Sequence, residues 1–518
     1  MNNISNLCIG DVSPNGQVSI LDEDRLSYAV LNNSKGAVGI RTISKSLLNE
    51  FINYIVEHPD KTPTEVRNEL CGRTKIDKFE YGYASTLCIM AQMAISKHKA
   101  HITDKSNGNR KSLSPEDISY LSAIKTKPFV ILGGFSGTGK SQKVKELAFA
   151  TCPNNSHLRT SETTPGNYLL LSVKPNWHDA TDIIGYRSSI QNNYYVTDFM
   201  RFLVKAMHFP NVPFFICLDE MNLAPVEEYF ADFLSVIESR KKISSGQIVT
   251  DAIIPASVFN EEYNDDFCIF DCLGFERMDR GMTDDGLHET LLGKFIRTDL
   301  INKIKQDGLT IPSNVIIIGT VNMDDTTNSF SRKVIDRAMT FETVVGEFGD
   351  EYFNGDVALN YVKNPLKGEL FLSDEVRATQ MIAEGRFILT KEEQAKILDF
   401  INNINKDLEG SPFKISYRIL NETILLYRSK KRIAEIMNED GGFEDGVEFK
   451  TDLNTIFDDI LMQKVLPRIE GDYEKCSKCL NKLSLRAEDN DWLKSSEKIE
   501  FMIKRFGSDR SGFTSFWN

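Results

Sequence analysis

The chain has 518 residues, of which 41% are hydrophobic and 26% charged, a composition typical of an ordinary soluble globular protein with roughly two to four domains. No apolar run reaches the ~18 residues of a membrane-spanning helix, and the first residues lack the basic-then-apolar pattern of a signal peptide, so we expect a cytoplasmic protein without a membrane partner. A formal net charge of −13 argues against a broad surface that coats nucleic acid, although it does not exclude a local basic patch.

Residues 1–108 form the first predicted domain, which is small and mostly helical. Residues 1–30 carry only weak strand signals, whereas a helical stripe follows and Thr62-Pro-Thr-Glu65 is a good helix start. Short helices around Cys71 could form a helix-turn-helix that binds DNA phosphates, or a small adaptor with ordinary surface charges. The stripe consists of Leu47, Leu48, Phe51, Ile52 and Ile55, and the basic side chains are Arg67, Arg73, Lys75 and Lys78.

A glycine-rich stretch after a polar linker at 101–112 fits the pattern G-x-x-x-x-G-K-[ST] of the phosphate-binding loop. An apolar run at 129–132 predicts a strand before it, and 142–150 predicts a helix after it, which is the context that the motif requires. Glycines let backbone N–H groups face phosphate oxygens, and the helix N-terminus adds partial positive charge. We expect Lys140 to contact the β- and γ-phosphates and Ser141 to bind Mg²⁺. The predicted nucleotide-binding residues of the loop are Gly134, Phe135, Ser136, Gly137, Thr138, Gly139, Lys140 and Ser141.

Four more apolar runs follow, and helical stretches separate them. This alternation predicts an α/β fold with a parallel sheet and crossover helices. Ligands of such sheets bind at the carboxyl ends of the strands, so the polar residues that close the runs are the candidates for a site. The runs are 168–173, 214–218, 315–318 and 339–345.

The run at 214–218 ends in two carboxylates, Asp219 and Glu220. Downstream of a phosphate-binding loop, Asp219 is expected to hold Mg²⁺, and Glu220 is placed to activate the attacking water. Without such a loop, two acidic residues at the mouth of a loop would be the better interpretation.

Two further polar residues close the later part of the predicted core. Asn322 ends the third apolar run and can hydrogen-bond the γ-phosphate or the water beside Glu220. Arg337 ends the helix that follows, where it can reach the γ-phosphate of a neighbouring subunit and offset the charge of the transition state. The alternative for Arg337 is a salt bridge at a helix end.

These parts together resemble the AAA+ class of P-loop NTPases, and the finer match is to the McrB family, the motors of modification-dependent restriction systems. The resemblance covers about residues 113–518. The segments that carry it are Leu171-Ser-Val-Lys-Pro-Asn-Trp177, Leu218-Asp-Glu-Met-Asn-Leu-Ala224, Gly319-Thr-Val-Asn-Met-Asp-Asp325, Tyr417-Arg-Ile-Leu-Asn-Glu422, Met462-Gln-Lys-Val-Leu-Pro-Arg468 and Gly512-Phe-Thr-Ser-Phe-Trp517.

The resemblance implies a nucleotide-binding core at 109–350 and a helical lid with a C-terminal extension at 351–518. It also adds Asp325, from the family's M-N-x-x-D-R-S signature, and Arg418, a second sensor that reaches from the lid to the phosphates. In that signature the first Met is replaced by Val321 and the Arg-Ser pair by Thr326-Thr327. The family usually uses GTP and the signature is its mark, so GTP and ATP both remain open here.

By resemblance, the function is that of an Mg²⁺-dependent nucleoside triphosphatase. It would form a homo-oligomeric ring, a hexamer, and would drive a DNA-restriction and anti-phage defence complex. A separate McrC-like nuclease subunit would cut the DNA, which the motor contacts directly or through that partner. The alternatives are a MoxR-like or dynein-like ATPase that remodels protein complexes, and a module that binds nucleotide without hydrolysis; the second disagrees with the presence of Lys140, Glu220 and Arg337.

Three other features of the sequence suggest no further catalytic centre. An acidic insertion near 244–312 is interpreted as a solvated loop or a partner-contact loop. The only Cys-x-x-Cys, Cys476 to Cys479, has no second pair for a zinc site. Asp440 with Glu448 and Lys450 matches a metal nuclease pattern only loosely, and a solvated connection is the better interpretation.

Overall fold

The computed structural model describes residues 115–153, 160–264, 267–275, 291–323, 330–343, 365–439, 451–508 and 512–517, together with 18–22, 27–32, 37–42, 45–58, 359–362 and a few single positions. Contacts between Cα atoms divide the chain into two compact units. The first unit contains residues 1–111 and 274–303, and the second contains 112–273 and 304–518. A central part of the predicted acidic insertion therefore belongs with the N-terminal residues.

The first unit contains a sheet that the sequence analysis did not predict. Strands β1 (Val18–Asp22), β2 (Ser27–Asn32) and β3 (Ala37–Thr42) pair antiparallel in chain order. The prediction of a mostly helical domain is therefore wrong for this part. The sequence contains two apolar runs joined by Asn33-Ser-Lys-Gly36, a segment rich in turn residues, and this pattern is typical of a β-hairpin. The sequence analysis gave the pattern too little weight because the strand signals themselves are weak.

Helix α1 (Lys45–Glu57) of the first unit agrees with the predicted stripe. Leu48, Phe51 and Ile52 are fully buried, as expected for an amphipathic helix that packs through one face. The predicted helix-turn-helix at 62–96 lies outside the described residues, apart from a few single positions.

The second unit is built on a five-stranded, fully parallel sheet, and this confirms the predicted α/β architecture. Both faces of the sheet are covered, which explains why its central strands are nearly continuous apolar runs. In spatial order the strands are β14 (Met339–Thr343), β4 (Phe129–Gly134), β13 (Val315–Asn322), β8 (Phe214–Asp219) and β5 (Tyr168–Ser172).

The other described strands form short antiparallel pairs. The pairs are β6 (Tyr186–Ser188) with β7 (Asn193–Tyr195), β9 (Lys241–Lys242) with β10 (Ile248–Val249), β11 (Ala252–Ile254) with β12 (Leu309–Thr310), and β15 (Glu470–Asp472) with β16 (Phe513–Ser515). Strands β10, β11 and β12 lie within the predicted insertion at 244–312, so that part is ordered secondary structure and not a solvated loop.

Helices connect the strands of the core and make up most of the described C-terminal region. The core helices are α2 (Pro115–Thr126), α3 (Lys140–Thr151), α4 (Thr181–Ile184), α5 (Asp198–His208), α6 (Val226–Tyr229), α7 (Ala231–Glu238), α8 (Ala256–Asn260), α9 (Ile269–Cys272) and α11 (Arg332–Ile335), whereas α10 (Leu291–Asp307) begins in the first unit and ends in the second. The C-terminal helices are α12 (Ala378–Ala383), α13 (Lys391–Asp407), α14 (Tyr417–Glu439), α15 (Leu453–Ile460), α16 (Tyr473–Asp489) and α17 (Leu493–Ser508). No described helix is both long and apolar enough to cross a membrane.

The C-terminal helices pack through the stripes that the sequence predicted. Ile397, Phe400, Ile401 and Ile404 of α13 are buried, and so are Ile456, Ile460, Leu461, Val465 and Leu466 in and after α15. A capping box defines the start of α13. The Thr390 side chain accepts a hydrogen bond from the backbone N–H of Glu393, and the Glu393 carboxylate accepts one from the backbone N–H of Thr390.

The strand order decides which loops meet. Because β13 lies between β4 and β8, its carboxyl end adjoins both of theirs. In register, Asn322 pairs with Gly134, and Gly319 pairs with Leu218. The residues that follow these strands therefore converge at one edge of the sheet, here called the carboxyl edge.

Candidate nucleotide-binding site

The loop between β4 and α3 has the backbone that a phosphate cradle requires. Gly137 and Gly139 adopt positive φ angles of 80° and 74°, a region that other residues rarely enter. Lys140 begins α3 and is buried, and its Nζ donates to the carbonyl oxygens of Gly134 at 3.0 Å and Phe135 at 2.6 Å. The ammonium group is thus held against the loop itself, where a phosphate bound in the loop would meet it.

Gly134 at the start of the loop is required for a different reason. A Cβ atom at this position would lie 2.1 Å from Thr343 Oγ1 and 2.7 Å from the Thr343 carbonyl oxygen. Strand β14 approaches so closely that only glycine fits. The Thr343 hydroxyl also lies 3.1 Å from Thr138 Oγ1, so β14 supports the loop directly.

The hydroxyl of Ser141 and the carboxylate of Asp219 meet beside the loop. Ser141 Oγ donates to Asp219 Oδ1 at 2.5 Å, and Thr320 Oγ1 donates to the same oxygen at 2.8 Å. One carboxylate and one hydroxyl match the protein ligands that Mg²⁺ uses when waters and phosphate oxygens supply the rest. Among the described residues there is no group of three or more His, Cys, Asp or Glu that could hold a metal by itself.

Glu220 is held in an uncommon backbone conformation, with φ 53° and ψ 51°. Its N–H donates to Thr320 Oγ1 at 3.0 Å, and Asn322 Nδ2 donates to its Oε1 at 3.2 Å. A left-handed backbone at a non-glycine residue costs about 1–3 kcal/mol and persists where the surroundings enforce it. The conformation leaves the carboxylate exposed at the carboxyl edge, on the same side as the loop.

Thr320 is a contact that the sequence analysis missed. Its hydroxyl donates to Asp219 and accepts from the Glu220 N–H, so one buried group orients both acidic residues. The signal was present in the spacing, because residues two apart on a strand share a face and Thr320 precedes Asn322 by two.

Replacing Thr320 with valine should slow nucleotide hydrolysis about 10-fold while binding changes little. The substitution keeps the shape and removes one hydroxyl, and the lost hydrogen bonds correspond to roughly 1–1.5 kcal/mol, or about one decade in rate. Steady-state kinetics would separate a fall in kcat from a rise in KM. Thr320→Ser should restore the rate, and a valine variant with wild-type kcat would contradict the assigned role.

Arg337 and Arg418 lie elsewhere, at the opposite, amino edge of the sheet. Arg337 precedes Met339 by two residues, and Met339 pairs with Val130, whereas the phosphate loop begins after Gly134. At about 3.3 Å per residue, Arg337 is on the order of 15 Å or more from its own loop.

Both arginines share the carboxylate of Glu238, the last residue of α7. Arg418 Nη2 lies 2.7 Å from Glu238 Oε2, and Arg337 Nε lies 3.8 Å from Oε1. Lys127 Nζ approaches the same carboxylate at 3.7 Å. The structure therefore does not bring Arg418 to the phosphates of its own chain, because helix α14 begins at the amino edge.

Buried ion pairs hold the turn that carries Arg337. Lys464 Nζ donates to the carbonyl oxygens of Asp336 and Ala338 and lies 3.0 Å from Glu422, which also pairs with Lys127 at 2.5 Å. Burial lowers the pKa of Lys464 to about 8, although the charge of Glu422 opposes this shift. Removing one partner of such a pair leaves a buried charge uncompensated, so the turn is tightly tied to the C-terminal helices.

Several predicted residues lie outside the described part of the chain. They are Asp325, all four basic residues named for the predicted helix-turn-helix, and the loose nuclease pattern of Asp440, Glu448 and Lys450. Cys476 and Cys479 are described; both are buried in α16, and burial raises the pKa of Cys476 to about 12. A thiol with that pKa is a poor nucleophile or metal ligand at neutral pH.

Comparison with known proteins adds one match. Residues 372–511 match the model of a family described as a domain of unknown function, DUF8727. No curated protein matches the chain. The matched segment covers the C-terminal helices from α12 to α17 and none of the residues at the carboxyl edge.

Proposed function

We propose that this protein is an Mg²⁺-dependent nucleoside triphosphatase that hydrolyses the γ-phosphate bond of GTP or ATP. The observation that carries the proposal is the continuous hydrogen-bonded chain from Ser141 through Asp219, Thr320 and Glu220 to Asn322, which lies beside the glycine loop. These residues come from three separate segments, and a purely structural cluster has no need of an exposed carboxylate in a strained backbone conformation.

Each residue has a distinct role in this reaction. The N–H groups of the loop and the ammonium of Lys140 bind the phosphates. Ser141 and Asp219 would hold Mg²⁺, which neutralises charge on the β- and γ-phosphates when bound. Glu220 accepts a proton from the attacking water as general base, and Asn322 orients that carboxylate through its amide.

Lys140→Ala should abolish tight nucleotide binding, because the main side-chain charge facing the β- and γ-phosphates disappears. A fluorescent nucleotide titration would measure the dissociation constant. Lys143→Ala, on the next turn of α3, is the matched control, since Lys143 faces the Tyr120 ring and not the loop. Equal affinity in wild type and Lys140→Ala would place the site elsewhere.

The arginines at the amino edge support a second part of the proposal, assembly into a ring. Arg337 and Arg418 are too far from their own loop to act there, so a role on phosphate requires the loop of a neighbouring copy. A heterologous contact of amino edge to carboxyl edge closes into a ring when the rotation between successive copies adds up to a full turn. We propose a hexamer of AAA+ type, in which the C-terminal helices serve as the lid and both arginines act in trans.

The McrB-like part of the proposal rests on the sequence segments that resemble that family, and Trp177 and Trp517 of two of these segments are buried in the second unit. The rings of Trp177 and Tyr229 meet edge to face at 5.4 Å, and Trp517 Nε1 donates to the Pro467 carbonyl oxygen at 3.0 Å. Trp517 also lies against the position of Gly133, directly before the phosphate loop. We propose that the ring drives a restriction and anti-phage complex in which a McrC-like subunit cuts DNA; the alternative is a MoxR-like or dynein-like remodelling ATPase.

The purified protein should hydrolyse nucleotide but should not cleave DNA by itself. The experiment compares GTP and ATP side by side, with and without methylated and unmethylated plasmid, in the presence of Mg²⁺ and of EDTA. Hydrolysis that DNA stimulates favours the restriction motor, and hydrolysis that is indifferent to DNA favours the remodelling ATPase. Cleavage that persists through stringent purification and disappears in Glu448→Ala would contradict the need for a separate nuclease.

A further inference from the structure

A cleft at the amino edge of the sheet contains an arginine for which the described part of the chain offers no counterion. The cleft lies where α7 ends and the strands β4 and β13 begin, and we call it the Arg240 cleft. Its walls are mainly apolar and include Pro128, Ile237, Ile311 and Ile317. Among the described residues that line it, Arg240 alone carries a charge.

The guanidinium of Arg240 is deeply buried, with 8% of the residue exposed. Its Nη2 atom is fully buried and has no hydrogen-bond partner among the residues that the structure describes. The nearest carboxylates in sequence are engaged elsewhere, since Glu238 pairs with Arg418 at 2.7 Å and Asp251 with Lys241 at 3.6 Å. Burial lowers the pKa of Arg240 to about 10, so the group still carries its charge at neutral pH.

A buried charge without a partner is costly, and proteins retain such a group where a ligand completes it. The polar neighbours in the cleft do not satisfy the guanidinium. The Thr250 hydroxyl accepts from the Ile311 N–H at 3.1 Å, and Ser313 lies exposed at the mouth. The cleft is therefore open to solvent at one end and has a hydrogen-bond donor at the other.

We propose that the Arg240 cleft is a binding site for a single carboxylate group. A carboxylate is planar, carries one negative charge and can accept two parallel N–H bonds from one guanidinium. The space is small, about that of a few heavy atoms, and its apolar walls disfavour a phosphate dianion, which would lose more hydration than one arginine restores. The carboxylate comes from a small free acid or from an acidic side chain of another copy of the chain.

This inference uses none of the nucleotide-site residues, which lie at the opposite edge of the sheet within the same chain. Thermal unfolding of the full-length protein tests it in a titration of sodium acetate against sodium chloride at constant ionic strength. The midpoint of the wild type should rise by about 2 °C and then saturate, as expected for a ligand that binds only the folded state. Arg240→Met should lose the acetate-dependent rise, whereas Arg187→Met, a surface arginine paired with Glu261, should keep it.

A second variant and a second measurement test whether acetate binds in the Arg240 cleft. Ser313→Trp should block the mouth and abolish the response without altering Arg240, which covers the case in which Arg240→Met fails to fold. Line broadening of ¹³C-labelled acetate should be saturable with the wild type and absent with either variant. An equal response in wild type and Ser313→Trp, no saturable response in the wild type, or a larger response to phosphate than to acetate would each overturn the proposal.

Sedimentation separates the two sources of the carboxylate. If an acidic side chain of a second copy fills the cleft, acetate should lower the sedimentation coefficient of the wild type but not that of Arg240→Met. If a free acid is the ligand, the sedimentation coefficient should stay constant while the thermal shift persists.

Discussion

Arg337→Ala should reduce nucleotide hydrolysis about 1000-fold or more while leaving nucleotide binding nearly intact. An arginine supplied to the γ-phosphate from a neighbouring subunit contributes about 10³–10⁵ in kcat, because it stabilises charge that develops only in the transition state. The turn that holds Arg337 is anchored by Lys464 and by the ion pair of Arg468 with Asp336 at 3.2 Å. The measurement is single-turnover hydrolysis at saturating nucleotide.

A matched control and a mixing experiment separate this role from a simple salt bridge. Arg332→Ala removes an arginine from helix α11, directly before the turn that carries Arg337, and should retain activity, because the Arg332 side chain donates to the Pro412 carbonyl oxygen. If Arg337 acts in trans, mixing Arg337→Ala with Glu220→Gln should recover activity, because some interfaces then combine an intact Glu220 with an intact Arg337. If the arginine only pairs with Glu238, Arg337→Ala should keep full turnover, and the mixture should add nothing.

Glu220→Gln should bind nucleotide normally but hydrolyse it at least ~100-fold more slowly, as expected when a general base is lost. Glutamine preserves the shape and can still contact Asn322, so the fold and the loop should be unaffected. Single-turnover rates and nucleotide affinities of the wild type and the variant give the comparison. Glu227→Gln, which changes another acidic residue near the same segment, is the control.

Near-normal turnover by Glu220→Gln would contradict the assignment of the base. In that case Asp219, the other acidic residue at the end of β8, would have to be tested with Asp219→Asn. Loss of nucleotide binding in Glu220→Gln would point to a structural role, since the carboxylate is proposed to act only on water.

Much of the candidate site could be predicted from the sequence because its parts are local. Gly134 to Ser141 follow one another within a single turn between a strand and a helix, and the spacing alone defines the loop. Asp219, Glu220 and Asn322 each close an apolar run, and parallel strands present their ends at one edge. In the same way, the alternation of strands and helices and the buried stripes of α1, α13 and α15 follow from the periodic spacing of apolar residues that become buried.

The tertiary structure alone decided three things. First, β13 lies between β4 and β8 in the sheet, and this order makes Thr320 the shared hydrogen-bond partner of Asp219 and Glu220. Second, helix α14 begins at the amino edge of the sheet, so that Arg418 pairs with Glu238 and is remote from the phosphate loop of its own chain. Third, β1, β2 and β3 pair into one sheet in a region whose strand signals in the sequence were weak.

The physical reason is the range of the interactions involved. Turn geometry, helix period and the chemistry of a strand end depend on residues a few positions apart, so the sequence by itself determined the loop, the acidic strand end and the class of fold. Strand order, the edge at which a helix starts and the ion-pair partner of an arginine such as Arg418 depend on residues separated by up to hundreds of positions. Those partners are selected by packing and desolvation over the whole unit, which no local spacing records.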